Sequence, residues 1–175
     1  MKLVHHPDFP LAGVGGVAID WRPAYKGCLS LTYRVDGAVP SLPQATSPGR
    51  ADNLWQATCF ELFLKPLDGT GYVEFNFSPS GQWAAYGFDG YRQGMCNLVL
   101  ARDPVVAVGA REGFTLDVEI DLSGIWTGPM KAAFTAILIE QDGTKSYWSL
   151  AHSAGKPDFH DPACFVLELP APRLP

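Results

Sequence analysis

Glycine and proline interrupt this chain so often, at 18 and 15 positions in 175, that no stretch holds a helical apolar period for ~12 residues. What survives between the interruptions is short runs rich in Val, Ile, Phe, Tyr and Trp. The clearest is 114–121, where Phe114, Leu116, Val118 and Ile120 alternate with Thr115, Asp117, Glu119 and Asp121, one face for a core and one for water. Its partner is expected just before it, Val105 to Ala110, through a turn at Arg111-Glu112-Gly113. Further strands are predicted at Gly16–Trp21, Cys28–Val35, Thr58–Leu64, Tyr72–Phe77, Gln82–Phe88, Lys131–Glu140, Lys145–Leu150 and Cys164–Leu169. Asp68-Gly69, Ser80-Gly81 and Asp142-Gly143 lie between neighbouring runs and predict three hairpins, because glycine supplies the positive φ that tight turns need. Leu122–Thr127 reads as a helical turn at a corner. The whole chain, 1–175, is therefore expected to form one all-β domain, a single antiparallel β-sandwich.

Composition narrows the function. A hydrophobic share of 47% against 18% charged supports a packed core rather than disorder. No apolar run approaches the ~18 residues of a membrane-spanning helix, so no membrane partner is expected. The net charge of −5 disfavours a nucleic-acid surface, which needs clustered cations. Cys28, Cys59, Cys96 and Cys164 form no C-x-x-C pair and are expected to be free thiols. The start, MKLVHHPDF, has neither the positive segment nor the apolar stretch of a secretory signal, which predicts a cytoplasmic protein.

Candidate chemistry concentrates on one strand face and in three long connections, Asp36–Gln56, Asp89–Asn97 and Ala151–Ala163. Periodicity assigns Phe60, Leu62, Leu64, Val73, Phe75 and Phe77 to the core. Glu61, Tyr72, Glu74 and Asn76 fall on the opposite face, with Trp55 just before it and Trp83 expected beside them from the next strand. Rings with carboxylates and an amide suit sugars, whose C–H faces stack while their hydroxyls hydrogen-bond. Arg92, His152, Lys156, Asp158 and His160 in the loops are candidate further contacts, His152, Lys156, Asp158 and His160 in a loop that would roof the face. Asp158 and His160 form no pair with a nucleophile motif, and Glu61 with Glu74 across a hairpin is an ordinary sheet arrangement, so no catalytic residue is assigned. The spacing of His152, Asp158 and His160 matches no tight ligand motif, and no metal ligand is assigned.

The run Arg50-Ala-Asp-Asn-Leu-Trp55-Gln-Ala-Thr-Cys-Phe60-Glu-Leu-Phe-Leu64 resembles the Trp-then-(Phe/Val)-Glu-(Leu/Ile)-Phe strand of the DOMON-like superfamily, which includes family 9 carbohydrate-binding modules. Residues 72–83 (YVEFNFSPSGQW) and the segments GKPDFH at 155–160 and CFVLEL at 164–169 are similar to a bacterial DOMON-like group. The resemblance covers nearly the whole chain. It implies a jelly-roll, DOMON-like sandwich and a small polar ligand, most plausibly a sugar, held by a ring at Trp55 and a carboxylate at Glu61 without turnover. The family's second stacking Trp, from near the chain end, has no counterpart; His152 and Phe159 stand there, with Trp148 upstream. The superfamily's other ligand, haem, is held by axial Met with His or Lys, roles that Met95, His152 and His160 could fill. The reading without a cofactor is preferred to a haem-binding redox module, and also to a metal-dependent enzyme or a protein-interaction domain.

Overall fold

A computed structural model describes residues 1–23, 27–109 and 113–172 and resolves the alternating runs into two facing sheets. The smaller has four strands in the order β2 (Val14–Pro23), β3 (Cys28–Gly37), β10 (Phe114–Asp121), β9 (Val105–Gly109). The larger has nine. Its central path runs β1 (Val4–His5), β12 (Lys145–Ser149), β11 (Met130–Ile139), β5 (Cys59–Pro66), β6 (Tyr72–Phe77), β7 (Gln82–Phe88) and β4 (Gly49–Arg50). On its flanks, β13 (Leu167–Leu169) pairs with β11 and β8 (Cys96–Asn97) with β7. Every pairing is antiparallel except the two-residue β4–β7 contact. The fold is an antiparallel β-sandwich. Of the turn expected at Arg111-Glu112-Gly113, Arg111 and Glu112 lie outside the described residues, as does Ala110 at the end of the strand before it.

Register carries the sequence alternation into a common interior. Leu62 lies opposite Phe75 on one side and Phe134 on the other, and Phe60 opposite Phe77. Across the sandwich Val118 pairs with Leu31 and Leu116 with Tyr33. All of these side chains are buried in one cluster, with Phe114 and Ile120 inside it and Val73 packed on it. The Phe60 and Phe114 rings stack at 5.7 Å, and Tyr33 donates its hydroxyl proton to the Glu61 carbonyl at 2.6 Å. Satisfying the one polar atom that Tyr33 carries into the core also locks the two layers in register. Phe75 and Leu62 are completely buried.

The smaller sheet behaves as an antiparallel sheet with one wet face: β3 alternates buried with half-buried positions along its length. The larger sheet does not. Strand β5 is buried at six consecutive positions, Cys59 to Leu64, so its second face is covered too. A separate cluster sits there, with Phe63, Tyr72, Tyr86, Phe88 and Ile137 from the strands meeting Phe159, Cys164 and Phe165 from the connection after β12. That connection turns through a short 3₁₀ segment, Pro162–Cys164, whose first turn Asp161 caps by accepting the Ala163 amide at 2.8 Å.

Candidate functional site

Between the second face of the larger sheet and the 151–166 connection lies a cavity of about 610 Å³, within the size range of small-molecule sites. Its floor is the β5–β6–β11 surface, with Glu61, Phe63, Glu74 and Ile137. One wall comes from Asp52, Asn53, Trp55, Tyr86 and Asn97. The other comes from Lys145 and Tyr147 on β12 with Pro157, Phe159 and His160, and Phe88, Arg92 and Met95 close one end.

Local geometry explains how each part is held. Asn53 adopts φ +61° and opens the 3₁₀ turn Leu54–Gln56, a conformation Asn tolerates better than most residues. That turn presents Trp55 46% exposed at the cavity wall. Beside it Arg50 bonds Asp52 at 2.9 Å and Asn97 at 2.6 Å, lies over the Tyr86 ring, and leaves Asp52 to accept the Tyr86 hydroxyl at 2.7 Å. Asp52 is held below the usual carboxylate range chiefly by that Tyr86 hydrogen bond, and Tyr86 is pushed up to about 12 by burial and by the same bond. At the far end Arg92, at φ +53°, donates to Asp158 at 2.7 Å, and Tyr91 donates to the other oxygen of the same carboxylate. Asp158 resists its partial burial through these donors and stays below its ordinary pKa. The His160 amide closes the loop onto Asp158 at 3.1 Å.

His160 sits in an aromatic cage, its ring centroid 5.3 Å from Phe63 and 5.2 Å from Phe88. Burial, reinforced by the Arg92 charge, lowers its pKa to about 4. The Tyr72 hydroxyl accepts the Arg92 amide proton at 3.2 Å and shares a hydrogen bond with His160 Nδ1 at 2.7 Å. His160 Nε2 faces Glu74 at 3.7 Å. With a neutral ring and that separation, the contact is a dipolar one rather than an ion pair.

The two floor carboxylates are poorly compensated. Glu61 is 3% exposed and accepts one side-chain hydrogen bond among the described residues, from Thr135 Oγ1 at 2.7 Å. Burial, and then repulsion from Glu74, raises its pKa to about 8. Glu74 is raised as well, first by burial, against the hydrogen bond it accepts from Asn76 Nδ2 at 2.6 Å.

The expected residues thus divide. Trp55, Glu61, Glu74, Arg92 and His160 line the cavity. Asn76 lies beneath it, 1% exposed, holding Glu74 through Nδ2 while its oxygen takes the Cys59 thiol. Asp158 acts through Arg92. Lys156 is exposed and away from the lining. His152 also stands apart, with Nε2 on the Val4 carbonyl at 2.8 Å and its ring against His6. Trp83 must be corrected: it is buried in the inter-sheet core, opposite Phe77, not on the face of Glu74. The connection 78–82 between those partners has an odd number of residues, so odd-numbered positions keep their face across it, and it is Tyr86 that stands beside Glu74. Glu61 turns to Thr135, its cross-strand neighbour on β11. Tyr147, Lys145 and Ile137 join the lining residues from β12 and β11, on the face that alternation along those strands marks. Their odd positions follow from the Ile137–Tyr147 and Ile139–Lys145 pairs.

The residues named for axial ligation are placed as follows. Met95 and His160 both reach the cavity, yet His160 Nδ1 is engaged by Tyr72 and its Nε2 faces Glu74, while His152 lies elsewhere. Among the described residues no group of three His, Cys, Asp or Glu is arranged to hold a metal ion. The four cysteines are unpaired, Cys59 and Cys164 buried, Cys28 half-buried and Cys96 exposed.

Fold and cavity define an antiparallel β-sandwich protein with a ring-walled, carboxylate-floored pocket on one sheet. No protein-family model matches the chain, and no curated protein sequence matches it significantly. Among solved structures, a provisionally assigned carbohydrate-binding protein from Bacteroides uniformis superposes with a TM-score of 0.64 at 21% identity, over 94% of this chain and 82% of that one. A family 9 carbohydrate-binding module from Caldicellulosiruptor kristjanssonii, in complexes with glucose and with cellotriose, superposes at 0.46 and 14% identity. Those alignments cover 79% of this chain and 69% and 68% of the modules. The first of these likenesses establishes the shared sandwich.

Proposed function

We propose that the cavity binds a saccharide without transforming it. The observation that carries this reading is the pairing of ring faces with converging polar groups in one concave site: Trp55, Tyr86, Tyr147 and Phe159 on its walls, Glu61, Glu74, Asn97, Arg92 and Lys145 among them. A pyranose offers C–H patches to the rings and hydroxyls to the polar groups, and a volume of about 610 Å³ suits one or two sugar units. The reading is in keeping with the assignment carried by the Bacteroides uniformis neighbour. Trp55 serves as the stacking platform, since a ring half open to solvent gains contact area when a ligand covers it. Glu61 and Glu74 face the ligand's polar edge, and the Arg92–Asp158 pair fixes the loop at the cavity's end.

Titration of the protein with mono- and disaccharides, followed by calorimetry and Trp fluorescence, tests this. A saturable response is expected, weakened at least fivefold in Trp55→Ala while the melting temperature holds. No heat and no fluorescence change across a broad glycan set would refute saccharide binding.

A further inference from the structure

The same fold contains a third deeply buried carboxylate, and its surroundings set the standard for what such a group needs. Glu140, 3% exposed, accepts three backbone N–H groups, from Ala12 at 2.8 Å, Gly13 at 2.5 Å and Val14 at 3.0 Å. It is a structural carboxylate with its charge spread over donors. Glu61, equally buried, has one hydroxyl donor on Oε2 and, among the described residues, none on Oε1, and its side chain opens on the cavity. Glu74, 6% exposed, has the Asn76 amide on Oε1, while among the described residues Oε2 has no hydrogen bond and faces the His160 imidazole at 3.7 Å. The cations beside the floor act on it only through space: Arg92, paired with Asp158, lowers the pKa of Glu74, and Lys145, near the Tyr147 ring, that of Glu61, while among the described residues neither donates a hydrogen bond to these carboxylates. A buried carboxylate pair with a single side-chain donor to each member is costly unless something with charge and hydrogens completes it.

We propose that the ligand is an amino sugar whose protonated amine is received by Glu61 and Glu74 on the cavity floor. The inference deepens the saccharide reading and rests on it. An ammonium group brings three donors and one positive charge to carboxyls that the empty cavity keeps partly protonated, so it takes the place of the proton held at Glu61, which leaves to solvent, and neutral hydroxyls cannot do this. The surrounding rings strengthen the selection, because low polarity around a charge pair magnifies both the attraction when it is matched and the penalty when it is not. N-acetylation removes the charge and two of the donors, and adds bulk where the carboxylates sit.

The test is competition within matched sets. The full chain is titrated calorimetrically at pH 6.5 with glucose, galactose and mannose, with the 2-amino derivative of each, and with the corresponding N-acetyl derivatives. At least one amino sugar should bind tenfold or more tightly than both its hexose and its N-acetyl form. That preference should fall to threefold or less in Glu61→Gln and in Glu74→Gln. Two variants are used so that a folding defect in one, seen by circular dichroism, leaves the other to decide. If hexoses bind and every amino sugar binds no more tightly, or if the preference survives both substitutions, the amine assignment is wrong and saccharide binding stands. If none of the nine sugars binds, the amine assignment is wrong, and the titration with the broad glycan set decides saccharide binding separately.

Discussion

Glu61→Gln makes the sharpest test of the cavity's electrostatics, because it removes a titrating group and keeps its shape and an oxygen for the Thr135 hydroxyl. In the folded protein Glu61 has its pKa raised from 4.5 to about 8, by burial and then by Glu74, with Thr135 and Lys145 opposing. A raised carboxyl pKa means the folded state holds a proton that the unfolded chain has released, so stability falls as pH rises from 4.5 through 8. His160 works in the opposite sense: its pKa is lowered from 6.5 to about 4, so the unfolded chain binds the extra proton and stability rises with pH across that interval. The two nearly cancel between pH 4.5 and 6.5. Above 6.5 only the Glu61 effect of this pair remains, and one proton at ~1.4 kcal/mol per pH unit, tapering near the pKa, amounts to about 1.5 to 2 kcal/mol lost by pH 8. For a chain of this size that is a fall of roughly 3 to 8 °C in Tm. Urea denaturation and thermal melts at pH 5, 6.5 and 8 read it directly. In Glu61→Gln the decline above 6.5 should shrink, any remainder belonging to Glu74, whose pKa is raised as well, and a rise of about 1.5 kcal/mol from pH 5 to 6.5, the unmasked His160 contribution, should take the place of the plateau. Wild-type stability that is level or increasing from pH 6.5 to 8, or a variant that keeps the wild-type slope, would refute the account of Glu61.

Three other outcomes follow from the same geometry. The His160 ring should remain neutral down to about pH 4, and its Cε1 proton shift, followed by NMR, should stay level from pH 8 to 5; a midpoint near 6.5 would place it in solvent. Trp83→Ala should cost ~3 to 5 kcal/mol through lost burial and the cavity left behind, whereas Trp55→Ala should cost less than ~1 kcal/mol, so reversed melting shifts would invert the two rings' assignments. Under native conditions a thiol reagent should modify Cys96 first, with Cys59 and Cys164 reacting only on unfolding, in keeping with their exposure; four thiols should titrate in the denatured, unreduced protein, and two or fewer would mean that a disulfide forms.

The alternation of 114–121 and 60–64 was enough to call both strands and their core faces, since period-two side-chain direction is a local property of extended backbone. Asp68-Gly69, Ser80-Gly81 and Asp142-Gly143 marked the hairpins for an equally local reason, backbone at positive φ or a tight turn at glycine. Strands β1, β4 and β8 escaped, because two residues carry no period and become strands only when a neighbour offers a free edge. Which strands share a sheet, and in what order, was also beyond local pattern; β5 lies between β6 and β11, a partner some seventy residues away. Trp83 shows the limit most plainly: its face depends on the parity of the 78–82 connection, and a shift of one residue moves an entire strand's side chains across the sheet. For the site, the sequence by itself placed Glu61 and Glu74 on one face and Trp55 at its margin. Only the tertiary structure brought the 151–166 connection down over that face. The covering removes water from Glu61 while Thr135 returns a single donor, and that balance of burial against hydrogen bonding, which no stretch of sequence contains, turns an ordinary sheet surface into an electrostatically unsatisfied cavity.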